Sequence, residues 1–177
     1  MRSKAAIGHH PIHPMLVPVP IGAFVGALIG DLAFMGTRNL FWFQFAYWAI
    51  IIGIIGALLA ALAGFTDYFG VRMSAAGFRT ATTHMVLNLT LVVLYAVSLW
   101  VRINGAPLGS PAWGWAFGIA LVAFVLLVIS GWLGGEISYG HRVGIAEDLD
   151  PEAKQIGEQE AAQRPAAVPE GQRARAA

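Results

Sequence analysis

The chain has no cysteine and little charge. Its 177 residues include eleven Lys or Arg and ten Asp or Glu, a charged share of 12% with a formal net charge of +1. Without cysteine there are no disulfides, no thiolate metal sites, no iron–sulfur ligation and no c-type haem attachment. The near-zero net charge argues against nucleic acid as a partner. Soluble domains are about 25% charged, and a water-soluble globule could not cover its surface with half that supply. What the chain has instead is apolar residues, 57% of the total, and a mean hydropathy of +0.65. It reads as one small integral membrane domain.

Four long apolar stretches carry that reading: Pro18 to Met35, Trp42 to Phe65, Thr80 to Val101 and Ala112 to Leu133. At 1.5 Å per residue the last three reach about 30–36 Å and the first about 27 Å, against a hydrocarbon core about 30 Å thick. The runs are continuous rather than alternating, which argues against a β-barrel. The expected fold is an all-α, four-transmembrane-helix bundle with both termini on the same side. Residues 1–17 form a Pro/His-rich lead-in, 18–146 the membrane domain, and 147–177 a disordered polar tail of Ala, Glu, Gln, Pro and Arg. Histidines and prolines interrupt what would be the apolar core of a signal peptide, so none is expected. No repeat period is visible.

Basic residues set the sidedness. Arg2, Lys4, Arg72, Arg79 and Arg142 fall on one side and only Arg38 and Arg102 on the other, which places both termini in the cytoplasm, in a bacterial inner membrane. Gly22, Gly26 and Gly30 line one face of the first helix, and Gly56, Ala60 and Gly64 one face of the second. Such ridges allow close backbone approach, either between these two helices or between two copies of the chain. The tryptophans fall mostly near span ends, as interfacial anchors do.

The ionisable groups converge on one end. His9, His10 and His13 precede the first helix, Asp67 and Tyr68 close the second, His84 sits one turn inside the third with Asn88 four residues on, and Glu136 and His141 close the fourth. An ionisable group inside a span must face the bundle, so His84 is either an oriented ligand or a hydrogen-bonded packing node. His10 and His13 both precede proline, which predicts a polyproline-II-like lead-in with the two rings about 9 Å apart on one face. The glycines around Gly134 should end the fourth helix and turn His141 back beneath the bundle. Asp31, near the far end of the first helix, is expected to form an interfacial salt bridge with Arg38 or Arg102.

These residues resemble an uncharacterised family of small bacterial four-helix membrane proteins with an HPxHPMLVxFPIG-like opening. Here that opening reads His10-Pro11-Ile12-His13-Pro14-Met15-Leu16-Val17-Pro18-Val19-Pro20-Ile21-Gly22, with Val19 where phenylalanine is expected. The Asp67-Tyr68 pair, His84 with Asn88, and the close Gly131-Trp132-Leu133-Gly134-Gly135-Glu136 followed by His141-Arg142-Val143-Gly144 extend the likeness over residues 8–146, with Arg142 in place of a glycine. Some relatives are fused to Rieske-type domains, which implies a redox neighbourhood.

Two cofactor readings follow. A b-type haem would take His84 with His13 or His141 as axial ligands, and Asn88 and Tyr68 beside them. A transition metal (Zn, Cu or Fe) would take His10, His13 and His84 with Asp67 or Glu136. The alternative is a non-catalytic structural or assembly subunit of a larger membrane complex, redox or other. No nucleophile–base pair, phosphate-cradling loop or HExxH motif is present, so an electron-transfer or accessory role is expected rather than a free-standing enzyme.

Overall fold

The computed structural model describes residues 3–8, 10–105 and 110–143. It divides the chain into two units, Met1–Ile145 and Ala146–Ala177; the second unit, and with it the expected polar tail, lies outside the described residues, as does His9. A two-stranded ribbon pairs β1 (Ala6–Ile7) antiparallel with β2 (His10–Pro11). Gly8 supplies the positive φ of the turn between them. There follow α1 (Ile12–Leu16), α2 (Pro18–Thr37), α3 (Leu40–Gly70), α4 (Ala75–Asn104), α5 (Pro111–Gly135) and a π-helical turn over Glu136–Gly140. With α1 and α2 counted as one span, four helices are long and apolar enough to cross a bilayer.

The helices outrun the apolar stretches that predicted them, because local capping sets their ends. The Asn39 side chain accepts from the Phe41 N–H to start α3, Ser74 accepts from Gly77 to start α4, and Ser110 does the same for α5. Arg38 ends α2 in the left-handed conformation.

The polyproline-II expectation holds only as far as Pro11. His13 lies within α1, and Val17 bonds back to the His13 carbonyl. Pro14 falls in the first turn, where an N–H has no intrahelical partner to lose, so the proline is tolerated and the helix begins early.

The four spans are two helical hairpins: α2 packs chiefly on α3, and α4 on α5. Gly26 and Gly30 face the Phe45 ring, Gly56 faces Val19 and Pro20, and Gly64 faces His13, so most of both glycine ridges is used within the chain. Gly22 departs from the expected ridge: it is exposed and meets nothing.

The hairpins repeat. Three pairs of residues 71 positions apart face each other across the bundle: His13 with His84, Phe24 with Tyr95, and Asp31 with Arg102. In α3 and α5 the buried positions match at an offset of 70, Ala46, Ile50, Gly53 and Ala60 corresponding to Ala116, Ala120, Ala123 and Ser130. Equivalent residues meeting one another define a pseudo-two-fold axis, and it runs along the helices because α2 and α4 are parallel. The repeat corrects the expectation that none is present. It is written in which positions are buried, while residue identity survives at few places, among them His13/His84, Ala46/Ala116 and Gly64/Gly134.

Phe24 and Tyr95 stack at the centre, ring centroids 3.8 Å apart, inside a core of Ile50, Leu91 and the small residues Ala27, Ala49, Ala120 and Ala123. A second cluster around Phe34 and Trp113 closes the end of the bundle away from the histidines.

Candidate functional site

The two ends of the axis carry different chemistry. In α4, His84 and Arg102 are 18 residues apart, about 27 Å of helix, so the two polar layers lie near opposite borders of a hydrocarbon core about 30 Å thick.

At the far end Arg102 Nη1 and Nη2 donate to the two carboxylate oxygens of Asp31 at 2.8 and 2.6 Å. Both residues are buried, so this is an interior ion pair and not the interfacial one expected. Arg38, the other candidate partner, is exposed at the end of α2. Ser98 donates to the Ala116 carbonyl at 2.7 Å and ties α4 to α5 beside the pair. With Nη1 and Nη2 on Asp31 and Nε toward Ser98 Oγ at 3.4 Å, this end works as a clamp between the hairpins.

At the other end each hairpin presents one imidazole. His13 Nδ1 donates to the Ala60 carbonyl at 2.8 Å, and the ring lies against Gly64. His84 Nδ1 donates to the Ser130 carbonyl, also at 2.8 Å, and the ring lies against Gly134. A backbone carbonyl accepts only, so the proton sits on Nδ1 in both rings and the lone pair on Nε2. The ring centroids are 6.4 Å apart and the planes cross at 86°. Asn88, one turn on from His84, reaches His84 Nε2 at 3.2 Å and Ser130 Oγ at 2.6 Å.

Both rings border a cavity of about 200 Å³ between the hairpins, walled largely by apolar side chains such as Phe65, Met85 and Leu89. Tyr68, Asn88 and Asp67 also line it. The Thr82 hydroxyl donates to the Phe78 carbonyl, so the Tyr68 hydroxyl donates to Thr82 at 2.8 Å and bridges α3 to α4. Asp67 is engaged elsewhere. Its oxygens accept from the Ser3 hydroxyl and from the backbone N–H groups of Lys4 and Ala5, at 2.7–3.0 Å, and so pin the N-terminal segment to the end of α3.

The remaining candidates stand apart from the pair. His141 turns back as expected, but onto the outer part of α4, where Nε2 lies 3.2 Å from Thr80 Oγ1 and the ring packs on Gly77. His10 is exposed in β2, and Glu136 is exposed in the π-helical turn, against Gly140. Among the described residues no three His, Asp or Glu side chains are placed to hold one ion. The expected five-residue metal set is therefore not assembled, whereas His13, His84, Asn88 and Tyr68 share one cavity. Sequence reasoning missed the Ala60 and Ser130 carbonyls and the partnership of Gly64 with Gly134. The near-equal spacings, 51 residues from His13 to Gly64 and 50 from His84 to Gly134, were the available signal.

Residues 9–147 match the model of a family described as Predicted membrane protein (DUF2231), and the chain belongs to that family. No curated protein and no solved structure matches it.

Proposed function

For this member of the DUF2231 membrane-protein family, we propose a redox-associated role in which His13 and His84 hold one transition-metal centre between the two hairpins, the iron of a b-type haem first and a bare ion second. The observation that supports it is the facing pair of imidazoles, each fixed through Nδ1 by a main-chain carbonyl and 6.4 Å from the other. His13 and His84 would hold the metal through their Nε2 atoms, the donor type that suits such ions. An Nδ1–H bonded to a carbonyl is also the arrangement that orients a ligating histidine and raises its basicity.

Haem iron needs only two protein ligands and an apolar surround, which suits this pair better than a bare ion that requires three or four. The cavity tempers the fit. About 200 Å³ is below the roughly 300–1,000 Å³ of sites that enclose drug-sized ligands, so a macrocycle would have to extend between the helices toward lipid. When bound, the iron would supply one-electron chemistry; His13 and His84 would hold it between largely apolar walls. Orientation belongs to the same proposal. Arg102 is buried with Asp31, which leaves Arg38 against the basic residues of the histidine end; that excess supports a cytoplasmic position for that end, in a bacterial inner membrane.

The test is the absorption spectrum and metal content of the detergent-purified protein. A Soret band that disappears in the doubly substituted His13→Gln, His84→Gln protein, with helical circular dichroism retained, supports haem. Stoichiometric metal without that band supports the bare ion. Neither pigment nor metal overturns the proposal and leaves the histidine pair as a packing element of a structural subunit.

A further inference from the structure

We propose that the cavity between the hairpins binds a lipid-soluble, single-ring hydroquinone through a hydroxyl donated to His13 Nε2, and that it discriminates against the oxidised quinone. The inference does not rest on the metal-binding reading above; a metal and this ligand would compete for the same nitrogen.

Size and walls set the kind of molecule. The cavity holds about 200 Å³, and an apolar cavity of about 150 Å³ is enough to take up benzene. One substituted six-membered ring therefore fits. Most of the wall is apolar, and it includes Ile21, Leu58 and Leu89, whose side chains are also exposed on the outer surface of the helices. A molecule dissolved in the bilayer thus reaches the cavity from the side, and a hydrocarbon tail can stay in the lipid.

The polar groups decide what the ring must carry. His13 Nδ1–H goes to the Ala60 carbonyl at 2.8 Å, and His84 Nδ1–H lies between the Ser130 carbonyl at 2.8 Å and Ser130 Oγ at 3.0 Å. The two Asn88 amide hydrogens go to Ser130 Oγ at 2.6 Å and the His84 carbonyl at 2.8 Å. The Tyr68 hydroxyl donates to Thr82, and Asp67 is held as an acceptor by Ser3, Lys4 and Ala5. Among the polar lining side chains that leaves one hydrogen to offer, on the Ser138 hydroxyl, a rotor that can donate or accept.

What the lining offers is lone pairs. His84 Nε2 has the Asn88 amide beside it at 3.2 Å. His13 Nε2 has no hydrogen-bond partner among the described residues, and it is not a buried atom: of the described side chains, the Trp113 indole nitrogen alone is both buried and unpartnered. It is an open acceptor on a residue that lines the cavity. A hydroxyl satisfies it, whereas a quinone carbonyl sets lone pair against lone pair. A hydroquinone differs from its quinone by the two hydroxyl hydrogens, so the same ring is held in one oxidation state and turned away in the other. Binding itself breaks no bond and moves no electron.

The probes are tetramethylhydroquinone, kept reduced under argon, and tetramethylbenzoquinone. Each is titrated into the full chain, prepared free of pigment and metal, in lipid nanodiscs, with empty nanodiscs correcting for partition into lipid. The expected result is saturable binding of the hydroquinone and a quinone affinity about ten- to a hundredfold weaker, the cost of an acceptor left unpaired. His13→Phe keeps a ring in place and removes the acceptor, so the preference for the reduced probe should fall to near unity. Ala61→Leu narrows the cavity without touching these hydrogen bonds, and should abolish binding of both probes with helical circular dichroism retained. No saturable binding, equal affinity for the two probes, a preference that survives His13→Phe, or binding that Ala61→Leu leaves unchanged overturns the inference. None of these outcomes touches the metal-binding reading, which stands or falls on the pigment and metal content of the protein as purified.

Discussion

At the scale of single residues the far end of the bundle is the sharper case. A bidentate Arg–carboxylate pair away from water stabilises only as a pair, because either member alone is a buried charge without a counter-ion. Asp31→Ala or Arg102→Ala should each cost about 3–5 kcal/mol, read as a fall in melting temperature in detergent. The doubly substituted Asp31→Leu, Arg102→Met protein should lose much less than the two single losses added together, since the stranded charge is gone. Additive losses would show that the pair is not coupled. Sequence named Asp31 and offered two partners for it, Arg38 and Arg102. It could not choose between them, because the choice depends on which helix end lies across the bundle, a distance that spacing along the chain does not encode.

At the scale of elements, close packing of small residues decides which helices pair. Lipid tails are as apolar as the helix faces, so contact between helices comes from fit. A methyl group on Gly53 would overlap the Phe24 ring, whereas one on Gly22 would meet nothing. Gly53→Ala should therefore destabilise by about 1–3 kcal/mol, the range for overpacked cores. Gly22→Ala should stay within about 0.5 kcal/mol. Both are checked by thermal unfolding followed by circular dichroism. Equal effects would mean that α2 and α3 are not set by this contact. The α3 N-terminus gives a third comparison. Asn39→Ala removes the acceptor that caps the helix and should cost about 1 kcal/mol. The element boundaries were legible only where such capping residues were recognised; the hydropathy runs alone stopped α3 five residues short at its C-terminal end, at Phe65 instead of Gly70.

At the scale of the whole molecule, the absence of native cysteine makes topology directly measurable. Single cysteines at Lys4 and Tyr139 should react with an impermeant maleimide from one side of sealed vesicles, and those at Arg38 and Asn104 from the other. All four positions are exposed in the structure and lie at span ends. Labelling of Lys4→Cys and Tyr139→Cys from opposite sides would contradict a four-span fold.

The sequence by itself determined that this is a membrane domain of four helices, because length and continuous hydropathy are local quantities fixed by bilayer thickness. It also determined which residues were candidates, since ionisable groups inside or beside apolar runs are few. Tertiary structure alone decided which of them meet: that His13 and not His141 faces His84, that Asp67 is engaged by the N-terminal segment, and that the hairpins repeat about an axis. Those outcomes depend on helix rotation and on which faces interlock across the bundle, and local hydropathy does not encode such non-local geometry.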